Sequence, residues 1–515
     1  MRTTTLIPIV VLAMNLHGQA GALDNDFSSD GILTTTIGSA SAYANAMAIQ
    51  TDGKILVAGS AEFPGNSTDF TVVRYFPDGS LDTGFGENGT AHIGLTYPDE
   101  AKAITIQPDG KILLAGFYSL QTDKFFAVAR LNADGTNDAG FGLNGQTFLS
   151  LSGSASPDEE ARGIALQADG KIVVAGPTSS GADGDFGVAR FNTDGSMDNS
   201  FSFDGQVVTA FGSARDWANS VALQSDGRIV VAGYYTNTEG ENHIALARYQ
   251  TDGQLDSGFG SNGLVMTDIT SGFSDRGRSV RIAPDGKILC GGFSGGSFNS
   301  FSIVRYMPSG AIDTGFGVDG IVTFNPTGSS FDIISLGIQS DGKVLACGNS
   351  QGPLGFILAR FMADGTLDTS FGENGWLSTP IEGGDADAGT LALQQNGRIL
   401  IAGSRRGGVQ IAVARYLNDI GIGLDEHVGG ITNARIAPNP MTTSTLLRYE
   451  LAMAADVSCD MFDALGRKVH SVLGGVRQAA GPHTLTLPKE GLISGTYMVL
   501  LRSDREVLCI PVINE

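Results

Sequence analysis

The chain of 515 residues is acidic and rich in glycine, with 72 glycines, 17% charged residues and a net charge of −22. This length predicts more than one domain, and a hydrophobic fraction of 42% argues against a disordered chain. The negative charge excludes a nucleic-acid partner, because no basic stripe offsets the repulsion from a polyanion.

The first 22 residues have the pattern of a secretory signal peptide. Arg2 supplies the positive charge, residues 6–16 form a short apolar stretch, and Ala20-Gly21-Ala22 is a small-x-small cleavage site. The mature chain would then start at Leu23. No transmembrane segment is predicted, since the apolar stretch is too short and no later run approaches about 18 apolar residues.

Three motifs recur seven times, in the same order, between residues 23 and 417. They are an Asp-Gly-Lys-like triplet, the pattern Asp-x-x-Phe-x-x-x-Gly, and an arginine that ends an apolar run. The triplets start at Asp52, Asp109, Asp169, Asp226, Asp285, Asp341 and Asn396. Seven copies at a spacing of about 55 to 60 residues predict seven structural units.

Each unit contains four short strands. In one unit they are predicted at residues 263–268, 279–282, 287–290 and 301–306, with Asp285-Gly286 as a hairpin turn. Four strands repeated seven times are typical of a seven-bladed β-propeller, and an open solenoid is the alternative. The sequence leaves open whether residues 31–36 complete the last blade.

Two phrases carry a family resemblance. ALQADGKIVVAG at residues 165–176 and VARFNTDGSMDNSF at residues 188–201 resemble the delta-60 repeat family of propellers. The resemblance covers residues 23–417. It implies a propeller and agrees with secretion, and it supplies no substrate.

The repeated arginines should be structural. Each one ends a strand with apolar neighbours, so its guanidinium should be partly buried and should need a partner. The Asp-x-x-Phe motif supplies one aspartate per unit. We predict a ring of Arg–Asp ion pairs, rather than an anion site, from Arg74, Arg130, Arg190, Arg248, Arg305, Arg360 and Arg415 with Asp82, Asp138, Asp198, Asp256, Asp313 and Asp368.

Some connections between strands are alike in all seven units, and others differ from unit to unit. The Asp-Gly turn and the Asp-x-x-Phe segment are alternate connections of an antiparallel meander, so they should share one face. The other connections differ between units and should share the opposite face; examples are residues 62–68, 157–162, 214–217, 235–242 and 385–387. Function usually lies on non-uniform loops, so we predict ligand binding on that opposite face, which should be acidic.

Residues 418–430 are predicted to form a linker to a different domain at residues 431–515. Short strands are expected at residues 445–451, 457–462, 468–472, 483–487, 495–501 and 507–512. They predict a small immunoglobulin-like β-sandwich, so the whole chain is assigned to the all-β class. Cys459 and Cys509 lie in two of these strands and could pair or remain separate thiols.

This second domain resembles the type A C-terminal sorting domain of type IX secretion cargo. The matching residues are Pro438-Asn439-Pro440, Gly466-Arg467 and Gly495-x-Tyr497. The resemblance implies the type IX secretion machinery as a partner. It also implies a secreted protein, either extracellular or anchored at the outer surface of a Gram-negative cell.

No residue is assigned to catalysis, to a cofactor or to a metal. Gly292-Phe293-Ser294-Gly295-Gly296 fits a nucleophile-elbow pattern, but it joins two predicted strands rather than a strand and a helix. Two hypotheses follow. The first is a non-catalytic propeller that binds an unidentified protein or glycan, and the alternative is a secreted hydrolase or lyase with its site in the non-repeated loops.

Overall fold

The computed structural model describes residues 19–64, 67–94, 97–153, 157–180, 183–350, 355–381, 386–405, 410–418, 431–437, 441, 445–451, 454–463, 467–503 and 507–514. The chain divides into two compact units, Met1–Asn418 and Asp419–Glu515. Most of the expected signal peptide (residues 1–18) and of the expected linker (residues 419–430) lies outside the described residues. Within them, no helix is long and apolar enough to cross a membrane.

The first unit consists of seven four-stranded antiparallel sheets, which we number as blades one to seven. The strands are Ala42–Ile49, Ile55–Glu62, Thr68–Tyr75 and Thr90–Ile93 in blade one; Asp99–Ile106, Ile112–Leu120, Asp123–Leu131 and Gln146–Leu149 in blade two; and Gly163–Leu166, Ile172–Ser180, Asp183–Phe191 and Gln206–Thr209 in blade three. They are Asp216–Leu223, Ile229–Thr236, Asn242–Tyr249 and Leu264–Thr267 in blade four, and Asp275–Ile282, Ile288–Ser294, Ser300–Tyr306 and Ile321–Phe324 in blade five. Blade six has Phe331–Ile338, Val344–Ser350, Phe356–Phe361 and Trp376–Thr379, and blade seven has Ala386–Leu393, Ile399–Arg405 and Gln410–Tyr416 together with Ile32–Thr36. The fold is the seven-bladed propeller expected from the repeats.

The boundary between blades differs from the prediction by one strand. Leu264–Thr267 pairs with Asn242–Tyr249 and is therefore the outermost strand of blade four, not the first strand of the next unit. The Asp-x-x-Phe segment causes this, because it returns the chain along the preceding strand: the Asp256 amide donates to the Arg248 carbonyl, and the Arg248 amide to the Gly263 carbonyl, both at 2.9 Å.

The strand Ile32–Thr36, here called the closing strand, completes blade seven. It pairs antiparallel with Gln410–Tyr416, with Leu33 opposite Val413 and Thr35 opposite Ile411. The start and the end of the repeat region thus share one sheet. Gly21 and Ala22, at the end of the expected signal peptide, also exchange backbone hydrogen bonds with Leu417.

Apolar side chains from adjacent blades form seven buried clusters, one at each junction between blades. Both surfaces of the sheets are apolar because each blade packs on two neighbours. The cluster that contains Val57 of blade one and Leu400 of blade seven shows that the ring is closed.

The second unit has two antiparallel sheets over one buried cluster. The strands are Ile431–Ala437, Leu446–Leu451 and Gly481–Thr486 in one sheet, and Lys468–Gln478, Ala455–Phe462, Gly495–Arg502 and Val507–Asn514 in the other. Ile431–Ala437 was not predicted. Cys459 is a free, buried thiol, and the Cys509 side chain lies outside the described residues. An immunoglobulin-like topology for this unit stays a prediction.

Candidate functional site: the central cavity and the two faces of the propeller

The two repeated connections lie on one face of the ring. Lys54 in the first Asp-Gly-Lys turn places its Nζ 3.0 Å from the Asp82 carboxylate of the Asp-x-x-Phe segment. We call this side the repeat face. The loops between second and third strands, and those that lead to the next blade, lie on the opposite side, which we call the variable face.

On the repeat face, every arginine of the third motif lies beside the aspartate of its own blade. The shortest nitrogen–oxygen distances are 2.8 Å for Arg74–Asp82, 2.6 Å for Arg130–Asp138, 2.6 Å for Arg190–Asp198, 2.7 Å for Arg248–Asp256, 2.7 Å for Arg305–Asp313, 2.8 Å for Arg360–Asp368 and 2.9 Å for Arg415–Asp24. The seventh aspartate precedes the closing strand, so this pair joins the two ends of the repeat region.

Blade four shows what each arginine contacts. The Arg248 guanidinium stacks on Phe259 at 4.4 Å and donates to the Pro308 carbonyl of blade five. The motif therefore supplies both a carboxylate and an aromatic ring to one cation. Burial opposes ionisation of Asp256, but the Gly258 amide and the Arg248 cation outweigh it and hold the pKa of Asp256 below its usual value.

The first strands of the blades surround a central cavity of about 420 Å³. In six of these strands a residue bulges at the same place, between two small or apolar neighbours, as the register shift from Ala218 to Ser220 around Asn219 illustrates. In blade three the corresponding residue, Arg162, directly precedes the strand Gly163–Leu166. Bulges re-aim side chains and are frequent beside functional sites. The residues at this position in blades one to seven, all in the cavity lining, are Asn45, Lys102, Arg162, Asn219, Arg278, Ile334 and Gly389.

Three of the cavity cations pair with carboxylates nearer to the variable face. Lys102 lies 2.7 Å from Glu100, and Arg162 lies 2.8 Å from Glu160. Arg278 reaches across to Asp332 of blade six at 2.9 Å. The prediction that the variable face is acidic is therefore only partly right, because carboxylates lie at the rim of the cavity and cations lie inside it.

An aromatic side chain lies beside this rim. Trp217 is half-buried, with the Arg162 guanidinium 5.1 Å and the exposed Arg215 guanidinium 4.0 Å from its ring. Arg162 also lines the cavity, so the indole and the cavity belong to one site. An aromatic surface flanked by cations suits a ligand with both apolar and anionic groups.

Buried acids at the start of first strands hold the loops of the variable face. Glu159 accepts the Leu151 and Ser152 amides at 2.9 and 2.7 Å. Asp216 accepts the Phe211 amide at 2.6 Å, and burial raises the pKa of Asp216 from 3.8 to about 6.

His243, Asp268 and Asp275 bring three possible ligand atoms within 4.8 Å of one another. The Asp275 carboxylate, however, already accepts the Ile269, Thr270 and Gly295 amides. We therefore interpret Asp275 as a loop anchor and assign no metal to this group.

The residues of the predicted sorting motif are only partly described. Pro438, Asn439, Pro440 and Gly466 lie outside the described residues. Arg467 is exposed and pairs with Asp463 at 2.7 Å. The Tyr497 ring is buried, and its hydroxyl donates to the Ile493 carbonyl at 2.9 Å. Gly495 has a φ of 156°.

Sequence reasoning missed the cavity residues. A signal was present, because the bulged position varies freely between small neighbours, as in Ala101-Lys102-Ala103 and Gly277-Arg278-Ser279. It comes before the strongly repeated motif and breaks the alternation of a regular strand, so a search for repeated patterns does not reveal it.

Seven segments match the family described as "Domain of unknown function (DUF5122) beta-propeller". They are residues 50–85, 107–141, 167–201, 224–259, 283–316, 339–371 and 394–419. Six of the segments run from an Asp-Gly turn to an Asp-x-x-Phe motif, the seventh ends after the last strand of the repeat region, and the seven cavity residues at the bulge position lie outside all of them. The comparison with curated proteins gave no match.

Among solved structures, the chain is similar to a catalytically inactive virginiamycin B lyase from Staphylococcus aureus, with 12% identity over 75% of this chain and 99% of that chain, at a TM-score of 0.44. It is similar to Sqt1 from Chaetomium thermophilum, with 13% identity over 73% and 98%, at 0.42. A polysaccharide lyase, an ulvan lyase, gives 13% identity over 75% and 96%, at 0.42. These likenesses carry no argument about function.

Proposed function

We propose that this chain, which carries seven repeats of the DUF5122 β-propeller family, is an exported, non-catalytic binding protein whose ligand docks on the variable face around the central cavity. The two faces support this by how they use their polar side chains. The repeat-face arginines are engaged in ion pairs with aspartates of their own blades. The side chains that differ between blades instead converge on one cavity.

That convergence is the observation that carries the proposal. A rigid ring brings one residue of each blade, of a type that varies around the ring, to a common concave site, and concave sites with a few convergent polar groups are the usual places for ligands. The ligand class is a protein or a glycan. Trp217, beside the cavity, would supply the largest apolar contact.

Substitution of Trp217 tests the site. The mature full chain is screened against arrays of acidic and neutral glycans and against extracellular proteins of the host. Trp217→Ala should weaken binding of any ligand found by at least tenfold, because an aromatic anchor at the centre of a site commonly contributes 2 kcal/mol or more. The matched control is Phe203→Ala, which removes an aromatic ring that is 90% exposed on the repeat face. Loss of binding in the control alone would contradict the proposal.

Export is the second part of the proposal. The signal-like N-terminus would deliver the chain to the periplasm, and the C-terminal unit would direct it through the type IX machinery across the outer membrane. The support is the resemblance of residues 438–440, 466–467 and 495–497 to that sorting domain.

Fractionation of the native host tests the route. A chain that ends at Gly430 should remain in the periplasm, while the full chain reaches the outside of the cell. Arg467→Ala removes one exposed motif residue and should reduce export without unfolding the unit. Arg477→Ala is its control, since this arginine is also exposed and also pairs with an aspartate, Asp456. Equal export of the truncated and full chains would contradict the sorting role.

A lyase or hydrolase is the second candidate, because titratable groups gather in the non-repeated loops near Asp216. The Tyr235 and His243 rings lie 5.5 Å apart. Burial and the Asp268 carboxylate raise the pKa of Tyr235, which keeps the phenol protonated and able to donate a proton. Depolymerisation of an acidic polysaccharide that is abolished by Tyr235→Phe would favour this candidate over the binding protein.

A further inference from the structure

The charge of the central cavity is opposite to that of the chain. Among the described residues, its lining contains Lys102, Arg162, Arg278 and Arg281 and no carboxylate, whereas the whole chain carries a net charge of −22. A cation in a low-dielectric concave site attracts anions far more strongly than one on an open surface.

Arg281 differs from the other three cations. Lys102, Arg162 and Arg278 each have a rim carboxylate within 2.9 Å. In the part of the chain that the structure describes, Arg281 donates only to the Val280 carbonyl at 2.9 Å and to the Ser335 hydroxyl at 3.5 Å, and it has no carboxylate partner. A guanidinium has five N–H donors, so most of its donors are not used by these two bonds.

Neutral donors lie in the same lining. The Ser279 hydroxyl oxygen accepts the Leu336 amide of blade six at 3.2 Å, and the Ser335 hydroxyl oxygen accepts the Arg281 guanidinium at 3.5 Å. Because each oxygen acts as an acceptor there, each hydroxyl keeps its own proton to donate. The cavity therefore combines a cation lacking a carboxylate partner with hydroxyl donors.

We propose that the central cavity binds an oxyanion, a sulfate, phosphate or carboxylate group, with the Arg281 guanidinium as its anchor and the hydroxyls of Ser279 and Ser335 as further donors. This rests on the proposed function in so far as the oxyanion is part of the ligand of the variable face. A planar guanidinium can hold such a group through two parallel N–H···O bonds.

Calorimetry on the mature full chain at low ionic strength tests the site with sodium sulfate, inorganic phosphate, glucuronate and neutral glucose as separate probes. We expect binding of at least one anion and none of glucose. Arg281→Gln should weaken anion binding at least tenfold, and Arg281→Lys should lose less because it keeps the charge. Arg477→Gln, which removes an exposed arginine of the second unit, is the matched control and should bind the anion as the unsubstituted chain does.

Absence of anion binding, or equal binding by the Arg281→Gln variant, overturns the inference. If Arg281→Gln fails to fold, Arg281→Lys and Ser335→Ala decide, since neither removes the cavity charge; unchanged affinity in both also overturns it. The proposed function has its own test, which is independent of anion binding. It is contradicted if the Phe203→Ala variant loses binding of a macromolecular ligand while the Trp217→Ala variant retains it.

Discussion

A guanidinium that is almost fully buried needs an opposite charge and hydrogen-bond acceptors to offset its desolvation. The repeated arginines obtain them from the side chains of one short motif and, in six of the seven, from a backbone carbonyl of the next blade; Arg360 donates instead to the Asn418 side chain. In blade one, Arg74 pairs with Asp82, stacks on Phe85 and donates to the Ala133 carbonyl of blade two. In blade seven, Arg415 makes the corresponding bond to the Pro77 carbonyl of blade one.

Arg248→Met should lower the thermal midpoint and leave binding on the variable face unchanged. The side chains of Arg248 and Asp256 are 6% and 8% exposed, and removal of one partner from such a pair costs about 3 kcal/mol or more. Differential scanning calorimetry measures the change. Arg215→Met is the control, because it removes an exposed arginine and should shift the midpoint little. A midpoint unchanged in Arg248→Met would show that these pairs do not hold the ring.

Asp216 predicts a pH dependence of stability. Its pKa is about 6 in the folded protein, against 3.8 for an ordinary aspartate, so the folded state binds the extra proton between these values. Stability is therefore lost as the pH rises from about 4 to about 6. Asp216→Asn keeps an acceptor for the Phe211 amide and should be more stable than the unsubstituted chain at about pH 7.5, by up to about 3 kcal/mol.

Melting curves across this pH range check the effect. The gain of the asparagine variant should shrink as the pH falls and approach zero below about pH 3, where Asp216 is largely protonated in both folded and unfolded chains. Asp204→Asn, at an exposed turn position, should show no such trend. A constant difference at all pH values would assign the effect to a lost contact rather than to ionisation.

At the scale of elements, the sequence predicted strand number and turn positions better than strand partners. Asp-Gly turns have a local chemistry, and they lie where they were expected. The strand that pairs with Leu264–Thr267 depends on the path of the Asp-x-x-Phe segment. The sequence pattern does not reveal this path, because each unit has four strands whether the boundary between blades is placed before or after Leu264–Thr267. The bulged residues, such as Lys102 and Arg278, were missed because their role arises only when seven first strands meet around one cavity.

The closing strand offers a direct test of its pairing. The Arg415 amide donates to the Gly31 carbonyl, so Gly31 and Arg415 form a hydrogen-bonded pair. Every second residue of the closing strand then forms such a pair, which includes Thr35 opposite Ile411. The backbone amide of Thr34 points away from the neighbouring strand. Thr35→Pro should destabilise the ring strongly, because proline cannot donate to the ladder. Thr34→Pro should be tolerated much better, and the two midpoints are compared by thermal unfolding.

One further variant separates the backbone from the side chain. The Thr35 hydroxyl accepts the Tyr75 hydroxyl at 2.7 Å, and Thr35→Val removes only that bond. A loss in Thr35→Val equal to that in Thr35→Pro would mean that the hydroxyl, rather than the strand pairing, is what matters.

At the scale of the whole molecule, the repeat region is complete without the C-terminal unit. All seven blades and all seven clusters between them lie within residues 20–416. A chain that ends at Asn418 should fold and melt at the same temperature as the propeller of the full chain, as monitored by near-ultraviolet circular dichroism. Asn418 is retained because its amide oxygen accepts from Arg360. A truncated chain that is insoluble or that melts earlier would show that the two units stabilise each other.

The position of the closing strand also determines the order in which the blades can fold. Thr36 and Gln410 are 374 residues apart and meet across the same sheet, so blade seven cannot form until the last repeat is available. During synthesis, which starts at the N-terminus, the first strand must remain unpaired while six blades form. Such long-range closure is slow compared with the formation of each hairpin. An open blade seven presents a free edge that the first strand of a second copy fits equally well, so slow refolding at high concentration should yield strand-swapped dimers.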